Sequence, residues 1–164
     1  MQTYPDGLEE KLGFDVIRDR LEAKLKSPIG RERLDGMQPA RTMDWLRGEL
    51  TRVEELQAAF QYGDSVPLSN FYDLRDVLRR AAPEEAFVDP EDLKAVRLTL
   101  VTVRRLKQVF ESRASDYPRL ADTVARITPL PHPEEHIASI LEEDAALRHD
   151  APEELVRPRR PIPR

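Results

Sequence analysis

The chain has 164 residues, 40% hydrophobic and 35% charged, with 6 Gly and no Cys, which excludes a disordered polymer, a disulfide scaffold and a thiolate metal site, and points to one ordinary helix-rich domain. No apolar run approaches the roughly 20 residues that cross a bilayer, so a membrane-spanning chain is excluded as well. The formal net charge is −5, and the last eight residues carry four Arg and no acid, so the remaining surface is more acidic still and repels phosphate backbones unless a local basic stripe opposes it.

The opening Met1 to Gly13 has neither a basic n-region nor an apolar h-region, and the expected location is the bacterial cytoplasm. From Leu8 to Leu25 the apolar positions Leu8, Leu12, Ile17, Leu21 and Leu25 recur at helical spacing, with a break at Gly13 and Asp15 as the cap of a second, longer helix. Ser27 then reads as an N-cap, Pro28 as a first helical residue, and Gly36 with Pro39 as a stop, enclosing a helix of about two turns. From Thr42 to Tyr62, Leu46, Leu50, Val53, Leu56 and Phe60 form one apolar stripe, and Gly63 terminates the helix. After a turn-rich connection, a short helix carries Leu74, Val77 and Leu78 and ends at Pro83.

Asp89, Pro90, Glu91 and Asp92 start the longest element, with Asp89 as cap, proline at the first position and acids at the positive end of the helix dipole. Its seam is Leu93, Val96, Leu100, Val103, Leu106 and Phe110, flanked by Lys94, Arg97, Arg104, Arg105 and Lys107. Two further helices are predicted around Leu120, Val124 and Ile127, and after Pro133 around Ile137, Ile140 and Leu141. The predicted fold is all-α, an irregular bundle of about six or seven helices over residues 1–145. Residues 146–164 are predicted to form an extended or disordered basic tail, because Pro158, Pro161 and Pro163 forbid a helix there.

The sequence Ser27-Pro-Ile-Gly-Arg-Glu-Arg-Leu34, the stop at Gln38-Pro39, and Arg52-Val-Glu-Glu-Leu56 on a long helix resemble the helical core of MutS-family proteins. Val66 to Ala81 is similar to that family's loop and following helix. Leu8 to Asp15, with Pro90 to Leu93 and Arg104 to Leu106, looks like the MutS-type-two branch, which lacks the mismatch-reading domains. The likeness covers about residues 8 to 145 and implies a MutS core or lever fold. For the intact family protein it implies a homodimer with an ABC-type ATPase that uses ATP and magnesium, clamp parts, and usually a terminal Smr nuclease domain. It also implies binding of branched DNA, restraint of recombination and rescue of stalled ribosomes. The chain departs from the family in having no G-x-x-x-x-G-K-[ST] segment, so no catalysis, cofactor site or ATP hydrolysis is expected of this part alone. Asp150 to Leu155 is similar to the family's acidic turn, but the prolines that follow suggest a sequence cut short or shifted in frame near residue 150. A helical protein-interaction module from a truncated gene is the alternative.

Four further patterns bear on chemistry. His132-Pro-Glu-Glu-His136 satisfies the H-x-x-E-H spacing of one zinc-peptidase class, yet Pro133 at the first helical position leaves His132 at the cap, so no metal ligand is assigned. Adjacent acids at Glu54-Glu55, Glu84-Glu85 and Glu142-Glu143 point about 100° apart on a helix and read as solvated faces. Arg97, Arg104, Arg105 and Lys107 are the candidates for DNA contact, or else flank the seam and pair with acids of neighbouring helices. Trp45, Phe60, Phe71, Tyr72 and Phe110 read as core or interface residues.

Overall fold

A computed structural model describes residues 7–83, 86–142 and 144–146. Among them are eight helices and no strand, which gives the all-α architecture read from the sequence: α1 (Leu8–Lys11), α2 (Phe14–Glu22), α3 (Pro28–Asp35), α4 (Met43–Gln61), α5 (Arg75–Ala81), α6 (Pro90–Ser112), α7 (Pro118–Ala125) and α8 (Pro131–Ile140). Residues 147–164, most of the proposed tail, and Glu84, Glu85 and Glu143 of the acid pairs lie outside the described residues. Packing divides the chain into two compact units, Met1–Arg41 and Thr42–Arg164.

In the first unit the helices are held by a polar clamp, since neither α2 nor α3 contains a buried residue. The Arg18 guanidinium donates to both Glu9 carboxylate oxygens at 2.9 Å, to the Leu34 carbonyl at 2.7 Å and to the Met37 carbonyl at 2.9 Å. It also lies 5.4 Å from the centre of the Phe14 ring. One planar fork thus joins α1, α2 and the carbonyl-rich end of α3, where a cation is favoured. The start of α3 follows its local sequence: Ser27 Oγ accepts the Gly30 N–H at 3.2 Å and Pro28 occupies the first turn. A Cβ at Gly30 would meet Leu25 Cδ2 at 3.3 Å, so glycine permits that close approach. The expected Asp15 cap does not form. Gly13, left-handed at φ 67°, ends the turn before Phe14, and Asp15 falls inside the first turn of α2.

In the second unit α4 starts on a Thr42 cap, whose Oγ1 accepts the Trp45 N–H at 3.3 Å. It ends in a Schellman pair: Asp64 N–H donates to the Ala59 carbonyl at 3.0 Å and Gly63 N–H to the Phe60 carbonyl at 3.3 Å, with Gly63 at φ 77°. The expected apolar stripe is corrected by the packing. Leu50 and Val53 are 53% exposed and Phe60 49%, whereas the buried face carries Glu55 and Ala59, at 8% and 0%. Glu55, expected in a solvated pair, accepts the backbone N–H groups of Arg119 at 3.1 Å and Leu120 at 2.8 Å. Its carboxylate therefore caps α7 from a different helix, at the end where negative charge is favoured. Ala59 lets the backbones approach, and Phe110, Tyr117 and Val124 complete the cluster, with the Phe110 and Tyr117 rings edge to face at 6.1 Å. Tyr117 Oη donates to Asp64 at 2.8 Å, and Arg113 pairs with the same carboxylate at 2.8 Å.

The long helix α6 serves both apolar clusters. Leu106, Val109 and Phe110 pack with α4 and α7, while Leu93 and Val96 pack with Ile137, Ile140 and Leu141. Its cap residue Asp89 is extended as expected, but its side chain makes no capping bond.

Replacing Glu55 with Ala leaves two helix-start donors without their acceptor, and a loss of about 1–3 kcal/mol is expected in urea unfolding. Glu55→Gln, which keeps one acceptor oxygen, should lose less. Hydrogen exchange should locate the change at the Arg119 and Leu120 amides; unaltered protection there would remove the capping role.

Candidate functional site

The four cations singled out from sequence do not form one stripe. Arg104 donates to both oxygens of Glu134, at 2.9 and 2.8 Å, and fastens α6 to α8. Lys107 pairs with Glu111 at 2.7 Å and donates to the Val124 and Ala125 carbonyls at 3.4 and 3.5 Å. It thereby supplies a cation to the open carbonyl end of α7. Arg97 and Arg105 also act on Glu134 through their charge, but they share a face with positions 94, 98, 101 and 102 at helical spacing.

That face borders a groove of about 410 Å³, closed on its other side by Pro67, Ser69 and Asn70. The Thr102 hydroxyl, buried in the wall, donates to the Ser69 carbonyl at 3.3 Å, and Thr99 Oγ1 accepts the Tyr72 N–H at 3.4 Å. These threonines hold the 66–74 connection against α6. Asn70 takes the left-handed conformation at φ 63°, which turns the chain over the groove. Lys94, Arg97 and Arg105 all line it. Sequence reasoning missed Ser69, Asn70 and Glu134, because the first two are ordinary turn residues and Glu134 differs from its acidic neighbours only in what α6 presents to it.

The remaining candidates fall elsewhere. Helix α8 begins at Pro131, two residues before the expected start, so His132 and His136 both lie in the helix at i and i+4. Proline is accepted throughout a first turn, where no intrahelical N–H bond is due, and this is why Pro133 does not mark the start. Both histidines are exposed, and among the described residues no group of three or more His, Cys, Asp or Glu is placed to hold a metal ion. Phe110 is core, Phe71 half-buried, and Trp45, Phe60 and Tyr72 are exposed.

The chain is similar to several proteins called Endonuclease MutS2. It is 28% identical to that of Alkaliphilus oremlandii over 153 residues, covering 92% of this chain and 19% of the relative. Identity is 29% over 154 residues with that of Pelotomaculum thermopropionicum, covering 92% and 19%. With that of Aquifex aeolicus it is 23% over 152 residues, covering 93% and 20%. The chain thus spans about a fifth of the length of the curated relatives it matches. No protein-family model matches it, and no solved structure does.

The Glu134–Arg104 pair gives a pH prediction. Hydrogen bonding from Arg104 holds the Glu134 carboxyl below its ordinary value, against the opposing effect of burial. A carboxyl depressed on folding contributes stability that is present above its unfolded value, near 4.5, and is lost as pH falls through the lower folded value. Thermal unfolding from about pH 6 to about pH 3 should therefore show a steeper fall for the native sequence than for Glu134→Gln. Parallel curves would dismiss the pair as a source of acid sensitivity.

Proposed function

We propose, from the premise that this chain corresponds to a segment of MutS2-type proteins, that it is a core or lever domain whose work in the intact molecule is mechanical. The observation that carries the reading is the match over about nine-tenths of the chain to about one-fifth of proteins named as endonucleases, together with the absence from the sequence of any phosphate-binding loop. In this reading ATP hydrolysis, with magnesium, and nuclease action belong to other parts of the polypeptide, and the chain itself is not an enzyme. The intact protein acts in the bacterial cytoplasm as a homodimer on branched DNA, restraining recombination, or on stalled ribosomes.

The lever reading draws support from α6. A 23-residue helix with one apolar cluster near each end transmits a displacement as a unit, since packed helices shift as rigid bodies and do not deform continuously. The second reading, a helical module that binds a protein partner, draws on the α4 face, where Trp45, Leu50, Val53 and Phe60 are all about half exposed.

The test follows ATP-driven closure in the full gene product by energy transfer between dyes on its two clamp arms. Val103→Ala and Phe110→Ala, each shown by circular dichroism to keep its helices, are compared with the native sequence. The closing signal is expected to fall to about half or less if α6 carries the coupling. Undiminished closure in both variants, or phosphate release from magnesium-ATP by the 164-residue chain alone, sinks the reading.

A further inference from the structure

The groove between the 66–74 connection and α6 holds hydrogen-bond donors that the packing of the fold does not use. The cations of α6 are divided by face. Arg104 and Lys107 are engaged by Glu134, Glu111 and the carbonyls of α7. On the groove face, Lys94 has only Glu91, at 3.9 Å, and neither Arg97 nor Arg105 has an ion-pair partner among the described residues. Arg97 Nε is shielded from water and has no acceptor among the described residues, an arrangement that costs free energy. Of the acids around this row, Asp92 is paired with Arg80 and both oxygens of Glu134 are bonded by Arg104, although Glu134 also attracts Arg97 and Arg105 by charge, and Glu91 lies 3.9 Å from Lys94.

We propose that this groove binds phosphate groups, met in turn by Lys94, Arg97 and Arg105 along α6 and faced by the Ser69–Asn70 turn. The turn offers little opposing charge, because the Ser69 carbonyl is taken by the Thr102 hydroxyl. A rise of 1.5 Å per residue places Lys94 and Arg105 about 16 Å apart along the axis, with Arg97 between them, so the row meets separate phosphates and not a single one. A single carboxylate, with two oxygens, cannot use so many donors, whereas phosphate oxygens suit planar guanidinium forks and a point-like ammonium together. Leu98 and Val101 form the apolar part of the same wall. The volume of about 410 Å³ lies within the range of about 300–1,000 Å³ typical of small-ligand sites, enough for a phosphate with the sugar attached to it. A phosphate of this kind comes either from a free phosphomonoester or from the backbone of a nucleic acid. The proposal rests on the groove alone and stands separately from the lever reading.

The experiment titrates the full chain with inorganic phosphate, a nucleoside monophosphate and a short oligothymidylate, following the Arg97 Nε–H and the Ser69 and Asn70 amides by nitrogen-15 NMR. All three resonances should move together. Arg97→Gln and Arg105→Gln should each weaken binding about tenfold, with partial recovery in the lysine variants. Arg79→Gln removes an equal charge from α5, where Arg79 pairs with Asp76, and should leave binding unchanged. Arg105 is exposed, so its variant keeps the test independent of folding. Tighter binding of the oligonucleotide than of the monophosphate assigns the phosphate to a nucleic-acid backbone, and the reverse order to a free phosphoester. The proposal is overturned if Arg97 Nε–H does not respond to any of the three, if Arg79→Gln weakens binding as much as Arg105→Gln, or if acetate binds the same resonances equally well.

Discussion

The second unit depends on a carboxylate placed where a helix begins. Glu55 projects from the middle of α4 and accepts two backbone N–H groups of α7, so the first turn of α7 is completed by another helix. Pro118 at that turn donates nothing, and no side chain of the Tyr117 cap position serves instead. Once Glu55 faces inward, the phase of α4 is set. Ala59, one turn on, becomes the contact point, and Phe110 and Tyr117 fill the space beside it. The consequence falls on the other side of α4, where Leu50, Val53 and Phe60 remain half exposed. Satisfying two donors and an ionised group at once outweighs the burial of a regular apolar stripe, because unpaired polar groups lose more on burial than partly exposed aliphatic ones lose in water.

A similar use of polar groups organises the first unit. Arg18 reaches Glu9, Leu34 and Met37 from one guanidinium, where a short segment with no buried residue in α2 or α3 has too little apolar surface to hold itself by burial. On α6, chemically equal cations acquire different roles through rotation about the helix axis alone. Arg104 and Arg105 are neighbours in the chain, yet one locks α8 in place and the other borders an open groove.

Signals that act within a few residues are legible in the sequence. Ser27, Pro28 and Gly30 start α3, Thr42 caps α4, Gly63 closes it, and Pro90 opens α6, each for reasons contained in the local backbone. The S-P-x-G-R-x-x-L segment owes its form to those same requirements, and this is why the resemblance to MutS-type-two sequences is carried by a joint between helices and not by reactive side chains. Asp15 and Asp89 show the limit of such reasoning. Both are good capping residues at suitable places, but a left-handed glycine serves instead of the first, and the second adopts the cap conformation without making the bond.

The sequence by itself determined the helical class, the main breaks between helices, the family likeness and the lack of a phosphate-binding loop, because periodicity, proline and glycine geometry, and contiguous motifs are properties of neighbouring residues. Tertiary structure alone decided which face of α4 is buried, which of the α6 cations border the groove, and that Ser69 and Asn70 lie opposite Arg97 across it. Those outcomes depend on pairings such as Glu55 with Leu120 and Thr102 with Ser69, between groups 65 and 33 positions apart. A hydrogen bond over such a separation is fixed by how helices meet, and no local pattern in the chain encodes it.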